Sequence, residues 1–144
     1  MNILVLHGPN LHLLGRREPG IYGTLTLKEL DALLKKRAAK LGAKLRCRQN
    51  NSEGGLIDLL TANLGWADAV VINPAAYTHY SYALHDALKA AALPAVEVHL
   101  TDIKRREPWR RRSVTRPACR AMFKGEGAGS YLKALDYCAA HFGK

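Results

Sequence analysis

Ala69-Val70-Val71-Ile72 runs straight into Asn73-Pro74-Ala75-Ala76-Tyr77-Thr78-His79-Tyr80-Ser81, and Ala95-Val96-Glu97-Val98 runs into His99-Leu100-Thr101, with Arg106-Glu107-Pro108-Trp109-Arg110 close behind. The two runs are short and almost wholly apolar, as expected of strands buried on both faces. Each stops abruptly at groups that donate, accept or carry protons. A third run, Ile3-Leu4-Val5-Leu6, ends the same way in His7-Gly8-Pro9-Asn10. In open α/β sheets, ligands bind just beyond the carboxyl ends of the strands. Three such ends bearing Asn, His and Arg therefore predict one site assembled from distant segments.

Outward from these strands, the chain alternates strand and helix with no break in composition. Gly8–Gly23 reads as a long loop, and a loop of that length in a compact domain is usually functional or disordered. Leu27–Leu41 reads as a helix, with Thr26 and Glu29 forming a capping box and Gly42 ending it. Lys44–Arg48 is a second strand with Leu45 and Cys47 on one side. The spacing predicts further helices over Gly54–Leu64, Tyr80–Ala91 and Ala128–Ala140, and a last strand over Cys119–Phe123. Strands interleaved with helices imply a parallel sheet covered on both faces. For five strands the natural small version is the flavodoxin-like order 2-1-3-4-5. Strands 1 and 3 are then neighbours, which juxtaposes Asn10 with Asn73. A single domain spanning 1–144 is expected, at a length sufficient for a substantial core.

The net charge of +10 and 48% hydrophobic content describe a basic chain of globular composition. Basic residues cluster over Lys35–Arg48 and Lys104–Arg116, but few aromatics interleave with them for base stacking, so no nucleic-acid partner is expected. The simpler expectation is a solvated basic surface with one or two arginines serving a small anion. No apolar run reaches the length of a membrane span. The N-terminal stretch lacks a basic region and a cleavage site, so no membrane partner and a cytoplasmic location are expected. The three cysteines, Cys47, Cys119 and Cys138, fit no zinc spacing, and the six histidines include no His-Glu-x-x-His pair. No catalytic metal is expected. A Walker-type phosphate loop is absent, and Gly125-Glu126-Gly127 is half a dinucleotide fingerprint placed after the last strand, which argues against NAD. No cofactor is expected.

Some residues stand out on chemistry alone. Glu97 and His99 are two apart on a strand and share a face. A carboxylate beside an imidazole fixes its tautomer and raises its proton affinity, so His99 is a candidate general acid. The alternative is a packed histidine with a neighbouring surface glutamate. His79, just before a helix, either caps it or binds a ligand. Arg17 and Tyr22 share the long loop; a guanidinium favours a phenolate, and a loop closing over a ligand can supply a base and exclude water together. The alternative for that segment is a flexible surface loop. Arg110 suits carboxylate binding, although spacing does not single it out among its basic neighbours.

Several strings in order along the chain resemble the type II 3-dehydroquinate dehydratase family. They are Gly8-Pro9-Asn10-Leu11, Leu14-Gly15-Arg16-Arg17-Glu18-Pro19, Ile21-Tyr22-Gly23, Gln49-Asn50-Asn51-Ser52-Glu53-Gly54, Ile72-Asn73-Pro74-Ala75-Ala76-Tyr77-Thr78-His79, Glu97-Val98-His99-Leu100 and Arg106-Glu107-Pro108-Trp109-Arg110. The resemblance implies a flavodoxin-like fold and trans elimination of water from 3-dehydroquinate, giving 3-dehydroshikimate through an enolate. It implies Tyr22 as base with Arg17 beside it, and Asn10 acting through a water on the enolate. It implies His99 as acid to the departing hydroxyl, with Glu97 behind it. Asn73, His79 and Arg110 match groups that hold substrate hydroxyls and carboxylate, and Leu100 and Thr101 match positions whose backbone amides bind that carboxylate. Asp86 matches a residue reaching the site from a neighbouring subunit, in trimers that assemble into homododecamers. Five positions depart from the family pattern. His7 and Ser52 stand where Asn and His are usual. Thr101-Asp102 replaces Ser-Asn, and His85 replaces an arginine. Asp102 is expected to add negative charge near an anion site and weaken substrate binding, and His85 to alter the subunit contact. The alternatives from other classes are a binding module for an anionic metabolite or RNA, and a lysine Schiff-base dehydratase, for which no lysine sits in a recognisable buried strand.

Overall fold

The computed structural model describes residues 1–143. Five parallel strands, β1 (Asn2–His7), β2 (Lys44–Gln49), β3 (Ala69–Asn73), β4 (Ala95–His99) and β5 (Ala121–Lys124), lie in the order β2-β1-β3-β4-β5. The helices are α1 (Pro19–Tyr22), α2 (Leu27–Lys40), α3 (Glu53–Ala62), α4 (Tyr82–Ala91) and α5 (Ala128–Phe142). The order is the one expected from the strand–helix alternation. β3 and β4 are buried at every position, and so is β1 after Asn2, which is why their sequences hardly alternate. The edge strand β2 alternates charged and apolar residues because it meets solvent.

Side-chain alternation along the strands divides the core and aims the polar strand ends. Ile3, Val5, Val71, Val96 and Val98 pack with Leu30 and Leu34 of α2 and Tyr131 and Leu135 of α5. Leu4, Leu6, Val70, Ile72 and Ala95 pack with Leu56 and Leu60 of α3 and Leu84 and Leu88 of α4. With a period of two, His7 and Asn73 continue the first face, and Glu97 and His99 the second. The site beyond the strand ends is therefore supplied from both sides of the sheet.

Element boundaries differ from the expected ones where a local hydrogen bond decides them. α4 begins at Tyr82 rather than Tyr80, because the Ser81 hydroxyl accepts from Leu84 N–H (3.0 Å). α3 begins at Glu53, capped by Ser52, which accepts from Gly55 N–H (2.8 Å). β5 begins at Ala121 rather than Cys119, because Arg116–Ala118 form a 3-10 turn whose first carbonyl takes the Cys119 N–H (2.9 Å). The Gly8–Gly23 segment is less irregular than expected. It holds a 3-10 turn at Leu11–Leu13 and the single helical turn α1, and it buries Leu11 and Leu14 in the core. Thr26 caps α2 as anticipated, accepting from Glu29 N–H (3.2 Å). Among the described residues no helix is long and apolar enough to cross a membrane.

Candidate active site

The ends of β1 and β3 meet in direct contact. Gly8 N–H donates to the Asn73 carbonyl (2.8 Å), and a Cβ at Gly8 would lie 2.7 Å from the Pro74 backbone. Only glycine allows that approach. The chain then turns at Asn10, which takes a left-handed conformation (φ 68°) that asparagine tolerates better than most residues. Asn51 holds this turn, its side-chain oxygen accepting from Asn10 N–H (3.1 Å) and from Gln49 (2.9 Å). Tyr77 donates its hydroxyl to the Asn51 carbonyl (2.9 Å), tying the segment to the one after β3.

At the end of β4, His99 Nε2 lies 2.9 Å from the Glu97 carboxylate. Glu97 is fully buried, so it is not the surface glutamate of the alternative reading. Around it stand three hydroxyls. Thr78 donates to it (3.1 Å), Ser113 donates to it (2.8 Å), and Thr115 makes a third, very short bond. Burial pushes the Glu97 carboxyl up, but the hydrogen bonds and charge of His99 and the bonds from Thr115 and Ser113 more than offset it. The group sits below its ordinary value. It is thus a buried carboxylate that fixes His99 by accepting at Nε2, leaving Nδ1 as the second ring nitrogen. His79 Nδ1 lies 2.7 Å from the Arg112 carbonyl and donates to it, which leaves Nε2 as an acceptor in the neutral ring. Burial, with His99 and Arg110 acting in the same sense, holds its pKa below the ordinary histidine value despite that backbone bond, so neutral is its form near pH 7.

The loop side of the site is organised by cations. The Tyr22 hydroxyl accepts from Arg17 Nη2 (3.1 Å) and from Arg106 Nη1 (3.0 Å). The Arg17 guanidinium also lies over the Tyr22 ring, 4.1 Å from its centroid. Two charge-assisted donors therefore converge on one phenolic oxygen. Arg106 escaped the sequence reading as a site residue, although it begins the motif that ends in Arg110. Thr78, Ser113, Thr115, Gln49 and Asn51 escaped it too; the Ser113-x-Thr115 spacing beside a basic cluster was the only signal for the first group.

A cavity of about 110 Å³ joins these parts. Asn10, Arg17, Tyr22, Asn73, His79, His99, Leu100, Thr101 and Arg110 all line it, with Arg106 and Ile103 added. Glu97 stands behind His99. Asp86 is exposed on α4 and lies outside this cavity. Arg110 reaches the rim with its guanidinium stacked on Trp109 (4.0 Å) and its Nε paired with Glu107. Asp102 does not play the part expected of it. Lys124 Nζ sits 2.6 Å from its carboxylate and Lys104 N–H donates at 3.0 Å, so its charge is paired away from the cavity. His85 donates from Nδ1 to the Val114 carbonyl (2.8 Å).

The only three-donor group with metal-ligand chemistry among the described residues is His7, Asp31 and Cys47, whose donor atoms lie within 4.8 Å of one another. It sits on the α2 side of the sheet, outside the cavity. His7 Nε2 and Asp31 Oδ1 are 2.8 Å apart, a hydrogen-bond spacing, whereas two light-atom ligands on a tetrahedral zinc lie roughly 3.3 Å apart. Burial pushes the Cys47 thiol up to about 12, and the nearby Asp31 charge adds to the effect, so it is a poor thiolate.

Sheet order, helix placement and a cavity lined by acid–base groups past the strand ends define a flavodoxin-like α/β protein with a site fitted for proton transfer. The family model described as "Dehydroquinase class II" matches residues 1–139. A 3-dehydroquinate dehydratase from Pelotomaculum thermopropionicum is 51% identical over 140 residues, covering 97% of each chain. One from Desulforudis audaxviator is 55% identical over 135 residues, covering 94% of this chain and 90% of its own. The crystal structure of a type II dehydroquinase from Butyrivibrio crossotus superimposes with a TM-score of 0.93 at 40% identity, over 95% of this chain and 96% of the other. The chain belongs to the class II dehydroquinase family.

Proposed function

We propose that this cavity binds 3-dehydroquinate and dehydrates it to 3-dehydroshikimate, a reaction of the shikimate pathway, by trans elimination through an enolate. Membership of the family and identities near 50% along almost the whole chain support the activity. The observation that carries the mechanism is the pair of guanidinium donors on the Tyr22 hydroxyl, in the same cavity as the Glu97–His99 pair.

In this reading Tyr22, as phenolate, takes the proton α to the ketone, and Arg17 and Arg106 hold its oxygen. The electron pair moves onto the ketone oxygen, where Asn10 stabilises the enolate through a water. The enolate then collapses, the double bond forms, and the departing hydroxyl takes a proton from His99 and leaves as water. Glu97 keeps His99 oriented. Asn73 and His79 hold substrate hydroxyls, while Arg110 and the backbone of Leu100 and Thr101 hold the carboxylate. No group in this scheme requires a metal or a cofactor. A single catalytic domain acting in the cytoplasm, and a homo-oligomer of trimers up to a dodecamer in which Asp86 reaches a neighbouring site, complete the proposal. Absorbance growth of the conjugated enone from 3-dehydroquinate tests it. Saturable turnover that survives EDTA is expected; no turnover would overturn it.

A further inference from the structure

The residues Asp31, His7, Tyr131 and Asn73 run as a line from the protein surface to the cavity, on the face of the sheet covered by α2 and α5. His7 Nε2 lies 2.8 Å from Asp31 Oδ1, and His7 Nδ1 lies 3.0 Å from the Tyr131 hydroxyl. Asn73 is the register partner of His7 across β1 and β3 and continues the same face of the sheet, beside the residue that the Tyr131 hydroxyl contacts. His7 and Tyr131 are fully buried and Asn73 is 3% exposed, so among the four only Asp31 meets solvent appreciably. We propose that Asp31, His7 and Tyr131 form a directional hydrogen-bond chain that sets the orientation of the Asn73 amide, which makes Tyr131 a positioning residue for substrate binding. The proposal rests on the functional reading above.

The direction follows independently from the two ends. A carboxylate only accepts, so Asp31 takes the Nε2–H of His7. In the single-N–H tautomer that the chain takes, Nδ1 is then an acceptor and receives the Tyr131 O–H. The phenolic oxygen is left to accept, and its donor is the Asn73 amide nitrogen. From the other end, Ala75 N–H donates to Asn73 Oδ1 (3.0 Å), which assigns the amide oxygen and leaves the nitrogen as the donor the chain requires. Both routes give the same polarity. The opposite polarity would aim two N–H groups at one phenolic oxygen and leave a buried O–H without an acceptor. Complete burial pushes the Tyr131 hydroxyl well above its ordinary value, so it remains an O–H donor throughout the working range. In the proposed chain Tyr131 takes one Asn73 N–H, and the other then has a fixed direction. Asn73 lines the cavity, and that second N–H is the group offered to a substrate hydroxyl.

A group that grips substrate in the ground state and transition state alike affects KM more than kcat. Tyr131→Phe should therefore raise the KM for 3-dehydroquinate by roughly five- to tenfold, the worth of one hydrogen bond, with kcat nearly unchanged. In an Asn73→Ala background the same change should add nothing. Asp31→Leu, at a partly exposed position, should act in the same direction and should add nothing to Tyr131→Phe; it also keeps the test open if Tyr131→Phe does not fold. Asp31→Asn keeps an acceptor for His7 and should stay within about twofold of the parent. A parent-like KM in both Tyr131→Phe and Asp31→Leu would overturn the chain, and so would full additivity with Asn73→Ala. The unaltered protein in the same assay separates the two readings. If it turns over 3-dehydroquinate, an unchanged KM in the variants refutes the chain alone; if it does not, the functional reading fails and the role of the chain with it.

Discussion

The cavity has two halves built on different principles. Asn73, Glu97 and His99 stand at the ends of central strands, are almost completely buried, and are each held by hydrogen bonds to fixed neighbouring groups. Arg17, Tyr22 and Arg106 come from the segments after β1 and β4, flanked by the exposed Pro19, Gly20, Ile21 and Arg105, and their hydrogen bonds to the Tyr22 hydroxyl run among themselves. The first half is preorganised by the core. The second is anchored in the core by Leu11, Leu14 and Ile103, but its arginines meet Tyr22 through charge-assisted bonds among more exposed neighbours. With the proposed acid in one half and the proposed base in the other, the site would admit substrate without disturbing the proposed acid.

The comparison can be broken most sharply at Tyr22. Tyr22→Phe keeps the ring between its arginines but deletes the proposed base, so kcat should fall by roughly 10²–10⁴-fold while KM changes much less. Steady-state kinetics check this, and near-normal turnover would refute the assignment of the base. His99→Ala should damage the other half of the reaction: exchange of the α-proton with solvent, followed by NMR, should persist after product formation has collapsed. Arg17→Ala and Arg106→Ala should each lower kcat by about tenfold, less than Tyr22→Phe, because one charge-assisted donor remains on the phenolic oxygen in each. The double variant should approach Tyr22→Phe.

Smaller effects test the buried half. Thr115→Val removes one hydroxyl from the Glu97 carboxylate and should cost about 1.5–3 kcal/mol of stability by chemical denaturation. The Glu97 carboxyl sits below the ordinary 4.5 in the folded protein. Its contribution to stability is therefore fully present above that ordinary value and is lost as pH falls through the lower folded value. Thermal melts against pH should show this acid-side loss, and Glu97→Gln should flatten it; an unchanged slope in the variant would place the effect elsewhere. The smallest change is expected from Asp102→Asn. Because Lys124 already pairs that charge, the KM for 3-dehydroquinate should shift by less than about twofold.

Much of this architecture was legible in the sequence. The uninterrupted apolar runs at Ile3, Ala69 and Ala95 define central strands, and the order β2-β1-β3-β4-β5 is the flavodoxin-like one expected for five strands interleaved with helices. Asn10 and Asn73 were expected to be juxtaposed, and both line the cavity. The boundaries at Ser81 and Cys119 were not legible, because a single capping or turn hydrogen bond decides each one and periodicity is blind to it. Nor was the charge of Asp102, whose partner Lys124 is brought beside it only by the fold.

Local sequence by itself determined which residues become strands, which strand ends are polar, and that Glu97 and His99 share a face, since all three depend on alternation over a few positions. The tertiary structure alone decided that Arg106, 84 positions away, is the second donor to Tyr22, and that Tyr131, 124 positions away, is the partner of His7. The physical reason is that a hydrogen bond needs atoms about 3 Å apart in the right direction. For residues so distant along the chain, only the packing of α5 and the loop after β4 against the completed sheet supplies that geometry.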